Sequence, residues 1–303
     1  MTSSASHLRA VLLALAGYTF WVGGDTFMKL LGELGTPKRE VMAIAAFAGM
    51  LSIFIISALR GRIAKLRPKK FAVLNFLGLL FLLNYLIFLT ALARLPIANF
   101  YTILFLAPTV GAIVAAVFLH EHLNIQKILA IIAGFIGVVI AINPTHLFDN
   151  PDDWLAYGAA FAGMIVIVTQ MVILRWLGDR ESRESTAFYP RIFSIIGGAI
   201  GILVMGFEPL SMREVLYCFG VGGVGSLGWL CMAEAYKLAP AAKVMPFHYS
   251  QIITGALVGY CIWHDVPTLH LLLGASVIII SGLYIATHGQ RSAQLAKTLV
   301  DTP

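Results

Sequence analysis

Residues 93–124 read ARLPIANFYTILFLAPTVGAIVAAVFLHEHLN, and residues 237–268 read KLAPAAKVMPFHYSQIITGALVGYCIWHDVPT. Laid one under the other, the two stretches align Pro96 with Pro240, Ala98 with Ala242, His120 with His264 and Glu121 with Asp265. The offset is a constant 144 residues and holds through apolar segments three to five and eight to ten. A weaker match joins the segments that open each half, MKLLGE at Met28–Glu33 and LRWLGD at Leu174–Asp179, with Lys29 over Arg175. The chain is a duplication, and what is duplicated is apolar.

Composition places the duplicate in lipid. Hydrophobic residues make up 59% of the 303 and charged residues 12%, about half the charged share of an ordinary soluble domain. A helical crossing takes roughly 20 apolar residues. Polar breaks near residues 32–40, 60–70, 94–96, 120–126, 143–153, 178–185, 207–213, 237–241 and 265–269 leave ten apolar segments and no room for a soluble domain. The net charge of +6 is a topology signal, not a nucleic-acid surface. Its densest group, Arg60, Arg62, Lys65, Arg67, Lys69 and Lys70, lies in a short loop, where positive charge marks the cytoplasmic side. Alternating the segments from a cytoplasmic start also puts Arg180, Arg183, Lys237, Arg291 and Lys297 inside. The acidic NPTHLFDNPDDW falls outside, with Lys38, Arg39, Arg94 and Arg213 as exceptions. Both termini are expected on the cytoplasmic side. Residues 8–24 begin like a signal peptide, but the apolar run continues through Trp21 and Val22, so they read as a retained first helix.

Five segments per half is an odd number, so the second copy enters the membrane in the opposite direction. The expected fold is all-α, with ten transmembrane helices in two inverted five-helix repeats. The first repeat covers residues 1–146 and the second 147–290, followed by a cytoplasmic tail at 291–303. Such repeats place a site near midplane at their interface and rock around it.

At these residues the chain resembles the EamA-type bacterial members of the drug/metabolite transporter superfamily. The likeness rests on the two five-segment halves. It also rests on a proline-turned hairpin leading into a span that ends on an acid, Glu121 or Asp265, followed by a glycine-bearing final span. GGDTFMKLLG at Gly23–Gly32 and PFHYSQIITGALVGYCIWHDVPT at residues 246–268 look most like transporters of S-adenosylmethionine, riboflavin and similar metabolites; other relatives export amino acids. The arginine often found early in the family's second span is absent after Val41, while YPRIF supplies Arg191 in the second half. The resemblance implies secondary transport of a small metabolite by alternating access, driven by a proton gradient or by exchange. It implies no cofactor and no enzymatic reaction. The partners expected are the substrate, the lipid bilayer and protons, with no nucleic acid; homodimerisation is left open.

Charge inside a span costs energy and faces a cavity or a partner. Asp25 and Lys29 stand four apart on one helix face in the favoured acid-first order. They read either as a self-neutralising pair or as a substrate and proton site. Glu234 stands three residues before Lys237, so boundary pairing competes with a buried role, and Arg191 has the same ambiguity. Glu121 and Asp265 read as helix-docking groups. By analogy with the family, Trp21, Asn84, Tyr85, Asn99, Tyr101, Gln170, Trp229, His248, Tyr249 and Gln251 join Asp25 and Lys29 as candidate substrate-binding residues, against the plainer role of helix packing. Tyr85 and Trp229 are equivalent under the 144-residue offset, a candidate pair of opposing walls.

Other motifs carry no chemistry. GVGGVG at Gly220–Gly225 lacks the strand a dinucleotide fingerprint needs and reads as close helix packing, as do Gly197 and Gly201. In HEH at His120–His122 the imidazoles point to different helix faces, so no metal is expected. The three cysteines, Cys218, Cys231 and Cys261, sit in apolar runs without CxxC spacing. A membrane enzyme or sensor is the rival reading and would need a nucleophile, metal cluster or signalling domain, none of which the sequence offers.

Overall fold

Glycine and proline set the first corner of the chain. Helix α1 (Ser4–Glu33) runs into Gly35 at φ +69°, where the amides of Gly35 and Thr36 return to the carbonyls of Gly32 and Leu31, each at 3.1 Å. This is a left-handed closure that glycine adopts without Cβ strain. Pro37, extended at φ −60° and ψ 128°, then starts α2 (Lys38–Leu59). The computed structural model describes residues 4–95, 97–107, 110, 114, 125–142, 151–239, 244–281 and 284.

After α2 come α3 (Phe71–Leu92), α4 (Ile97–Leu104), α5 (Ile125–Ile142) and α6 (Pro151–Leu177). A short α7 (Arg183–Phe188) breaks at Tyr189–Pro190 into α8 (Arg191–Met205). There follow α9 (Met212–Leu238), a 3-10 turn (Met245–Tyr249), α10 (Ser250–Trp263) and α11 (Leu269–Ser281). Ser211 starts α9 with a capping box, its hydroxyl accepting from the Glu214 amide and the Glu214 carboxylate from the Ser211 amide.

Among the described residues the chain is helical throughout, without strands. Six helical stretches among the described residues are long and apolar enough to cross a membrane: Leu8–Glu33, Lys38–Leu59, Phe71–Leu92, Trp154–Leu174, Arg183–Met205 and Met212–Leu238. Shorter apolar helices lie at Ile128–Ala141 and Leu269–Ser281. The fourth and ninth apolar segments of the sequence hold only the 8-residue α4 and the 14-residue α10 as regular described helix. Pro96, Pro240, Glu121 and His120, which carried the repeat in the sequence, lie outside the described residues.

The long helices pack with small residues at their crossings. α1 lies along α9 in the most extensive contact of the fold, and α2 lies against both α8 and α9. α3 rests on α6 and α8, and α4 on α6 and α10; α1 also meets α10 and α3. A Cβ on Gly24 would stand 3.5 Å from the Gly225 backbone, and one on Gly222 would overlap the Ala45 carbonyl. The GVGGVG run thus serves close helix approach. Large apolar side chains such as Leu59, Ile200, Leu203, Ile253 and Ile280 are exposed on the outside, the pattern of a bundle whose solvent is hydrocarbon.

Charges gather at the two ends. At the end bearing the N-terminus, the Glu181 carboxylate accepts from the Lys69 and Lys70 amides at 2.8 Å, Arg62 pairs with Glu184 at 3.3 Å, and Arg183 pairs with Glu234 at 2.7 Å. At the opposite end Arg39 joins Glu208 at 2.5 Å and Glu40 at 3.1 Å, while Thr36 donates to Glu214 at 2.7 Å. The cysteines are unbridged; Cys218 is buried.

Candidate functional site

Between these two polar ends the helices line a cavity of about 130 Å³. From the first half it takes Trp21, Asp25 and Met28 of α1, Phe81, Asn84, Tyr85 and Phe88 of α3, and Leu104 of α4. The second half supplies Ile167, Gln170 and Met171 of α6, Arg191 of α8, Val221, Gly225 and Trp229 of α9, His248 of the 3-10 turn and Gln251 of α10. Two smaller voids of about 20 Å³ each continue from it toward the N-terminal end. The first shares Trp21, Ile167, Met171 and His248 with the cavity, and Tyr236 links it to the second, beside Glu181, Arg183 and Lys237.

One wall is aromatic. Trp229 sits edge-on to Phe81 with ring centroids 4.7 Å apart and faces Trp21 at 6.4 Å, while Tyr18 stacks behind His248 at 4.9 Å. Tyr85 and Trp229, equivalent under the repeat, both line this space. The polar groups are few. Asn84 reaches Gln170 across the halves at 3.5 Å, and the Gln251 amide donates to the Tyr18 carbonyl at 3.3 Å, leaving its own carbonyl oxygen buried without a partner.

The two charged groups on the wall are Asp25 and Arg191. Asp25 accepts a hydrogen bond of 2.7 Å from the Tyr101 hydroxyl. Lys29 is not its partner: the ammonium lies 3.6 Å from Glu33, 3.1 Å from the Leu95 carbonyl and 5.0 Å over the Trp263 ring. Arg191 is 4% exposed, and its Nη1 donates to the Ala187 carbonyl across the helix break at Pro190. Its guanidinium lies over the Phe81 ring at 5.3 Å, and its Nε is buried without a hydrogen-bond partner. Among the described residues no carboxylate pairs with it. Room for the side chain comes from Gly49, where a Cβ would stand 2.5 Å from Nε.

Of the sequence candidates, Trp21, Asp25, Asn84, Tyr85, Gln170, Trp229, His248 and Gln251 share this cavity. Lys29, Asn99, Tyr101 and Tyr249 do not line it. Tyr101 stands behind Asp25, Asn99 donates to the Tyr157 hydroxyl at 3.3 Å, and Tyr249 packs on Phe105 at 5.8 Å. Glu234 is held by Arg183 at the N-terminal end, with Arg9 at 3.9 Å. Arg191, which the sequence left open between a boundary charge and a buried role, lines the cavity. The available signal was a lone arginine directly after Pro190 at the start of an apolar run. No group of three His, Cys, Asp or Glu side chains among the described residues could hold a metal ion.

Residues 8–143 and again 154–287 match the EamA-like transporter family. The S-adenosylmethionine uptake transporter of Rickettsia bellii is 26% identical over 209 residues, covering 69% of this chain and 70% of that protein. The riboflavin transporter of Vibrio cholerae is 24% identical over 277 residues, covering 91% of this chain and 92% of that one. A solved crystal structure at 20% identity covers 95% of this chain and 99% of its own with a TM-score of 0.64, a likeness of fold. With the family matched across both halves, and with helices long and apolar enough to cross a membrane repeatedly, the chain belongs to the EamA-like transporter family of the drug/metabolite transporter superfamily, as a multi-pass membrane transporter.

Proposed function

We propose that this chain is a secondary active transporter that carries a small organic metabolite, of S-adenosylmethionine, riboflavin or amino-acid-like chemistry, by alternating access. The driving force is a proton gradient or exchange. Ten transmembrane helices form two inverted five-helix repeats, residues 1–146 and 147–290, with a tail at 291–303. The chain lies in a bacterial inner membrane with both termini in the cytoplasm.

The observation that carries the reading is a cavity walled by both halves of a duplicated chain. Packing supports the inverted arrangement. Exchanging the first half for the second turns the α1–α9 contact into α6–α3, α2–α9 into α8–α3, and α1–α10 into α6–α4, all of which occur. The pairs α2–α8 and α4–α10 map onto themselves and occur too. A twofold relation has this property, and five segments per half invert it. At about 130 Å³ the cavity is smaller than the roughly 300–1,000 Å³ of sites that bury a drug-sized ligand, so a metabolite is admitted only when the halves separate at one end.

Purified protein in sealed proteoliposomes tests this. Labelled S-adenosylmethionine, riboflavin and a set of amino acids are offered outside, with and without an imposed pH gradient and with and without unlabelled compound inside. The expected result is protein-dependent accumulation of one of them, stimulated by the gradient or by counter-substrate. Flux equal to empty liposomes for every compound, from protein that binds one of them, would overturn it.

A further inference from the structure

The two ends of the molecule are tied in the same way by the same pair of residues. At the 144-residue offset that relates the halves, Arg39 and Glu40 fall on Arg183 and Glu184. They open equivalent helices, α2 and α7. In each pair the arginine Nε lies against the Oε1 of the glutamate that follows, at 3.1 Å for Arg39 and 3.2 Å for Arg183. That same Oε1 also accepts a hydrogen bond from a loop of the opposite half. Glu40 takes the Glu208 amide at 3.0 Å, and Glu184 takes the Arg62 guanidinium at 3.3 Å. The loops are equivalent too, one between α2 and α3 and one between α8 and α9. Each turns on a glycine at positive φ, Gly61 at +62° and Gly206 at +85°.

Neighbouring contacts fix the loop backbones. Arg39 donates to the Gly206 carbonyl at 2.9 Å and pairs with Glu208 at 2.5 Å. At the other end the Ser182 hydroxyl donates to the Lys65 carbonyl, and Glu181 holds the Lys69 and Lys70 amides. Both central carboxylates are buried, Glu40 at 0% and Glu184 at 5% exposure.

We propose that the two Arg–Glu pairs are matched latches, one for each end of the molecule, each released only when its own end opens. The proposal rests on the alternating-access reading and names the contacts that govern it. A charge-assisted hydrogen bond between buried groups is strong while the helix ends keep water out. Once the ends part, water solvates both partners, and the same contact contributes little. Each latch therefore resists the first separation and hardly opposes the rest, which gives two discrete positions, not a continuum. Parting both ends together releases both sets of contacts, so the form open to both sides is the most disfavoured. Because both latches are built from the same pair, the two singly opened forms stay close in free energy.

Pulsed electron resonance on the full chain in lipid nanodiscs, with Cys218, Cys231 and Cys261 replaced by serine, measures each end separately. One nitroxide pair, at Lys65→Cys and Asp179→Cys, spans the Glu184 end; the other, at Leu34→Cys and Phe207→Cys, spans the Glu40 end. All four positions are exposed. Glu184→Gln is expected to raise the ratio of long to short distances roughly tenfold at its own end, the size of one charged hydrogen bond, and to leave the other end as in the wild type. Glu40→Gln does the reverse, and the double variant raises both ratios. A merely structural role gives no such division, since loosened packing lengthens both pairs in either variant. If a glutamine variant does not fold, Arg62→Gln and Glu208→Gln loosen the same latches from the loop side.

Distances unmoved by every variant while flux persists, or both pairs lengthened by either single variant, would overturn the proposal and leave alternating access standing. A wild type without flux that keeps one short distance at each end would sink the two together.

Discussion

Lys29 stands four residues from an acid on either side, Asp25 before it and Glu33 after it. Local helix rules favour the first pairing, because an acid N-terminal to a base suits the helix dipole. The fold chooses the second, since Asp25 is claimed by the Tyr101 hydroxyl at 2.7 Å, from a residue 76 positions away. This changes what a substitution at Asp25 does. Asp25→Asn keeps an oxygen to accept from Tyr101 and strands no cation, so the variant is expected to fold with a Tm close to wild type and to lose ligand binding and flux. Adding Lys29→Met is expected not to restore either; recovery of flux in the double variant, at matched incorporation into proteoliposomes, would return Asp25 to a purely structural role. Glu33→Gln removes the actual partner of Lys29, a pair with its acid 38% exposed, at a cost of about 0–1 kcal/mol. Trp21, Tyr85 and Trp229 could be named because the family resemblance put their spans at the cavity, where indole and phenol groups suit a binding wall. Arg191 could not be separated from a boundary charge, because nothing in the sequence tells whether such a side chain reaches water or runs inward past Gly49.

Helix contacts decide where that arginine goes. α2 and α9 meet through Gly49 and Gly222, and the missing Cβ of Gly49 leaves the space that Arg191 Nε and the Ser226 hydroxyl occupy; a methyl there would stand 2.5 and 2.8 Å from them. Gly49→Ala is therefore expected to cost about 1–3 kcal/mol by overpacking and also to weaken ligand binding by displacing the guanidinium, read as a lower Tm together with a raised Kd. Gly158→Ala in α6 is the control. A Cβ there meets nothing within 4 Å, and alanine in place of glycine in a helix gains up to about 1 kcal/mol, so Tm is expected to stay or rise with Kd unchanged. Equal losses at both glycines would remove the assigned role of Gly49. At this level the sequence was informative about which segments are apolar helices. It was less informative about their regularity. The break at Tyr189–Pro190 and the short α4 and α10 sit inside apolar runs, where hydropathy is blind to backbone geometry and only the proline hints at it.

The described residues hold a cavity at the seam of the halves, a line of small voids past Tyr236 toward the N-terminal end, and ion pairs across the seam at both ends. The proposed alternating access requires rocking of the halves to break one set of end contacts while keeping the other. Arg62–Glu184, Arg9–Glu234 and the Glu181 contacts to residues 69 and 70 join the halves at the end to which the voids lead. Glu234→Gln is expected to favour opening there, seen as faster thiol labelling of a cysteine placed at Tyr236. The most direct measurement uses a single reporter in the cavity. Met171→Cys is placed in a chain whose Cys218, Cys231 and Cys261 are replaced by serine, and reconstituted in both orientations. A membrane-impermeant maleimide is expected to label it from either face of the membrane, with bound ligand slowing both reactions. Labelling from one face only, whatever the ligand, would contradict alternating access and leave the chain a one-sided binding protein.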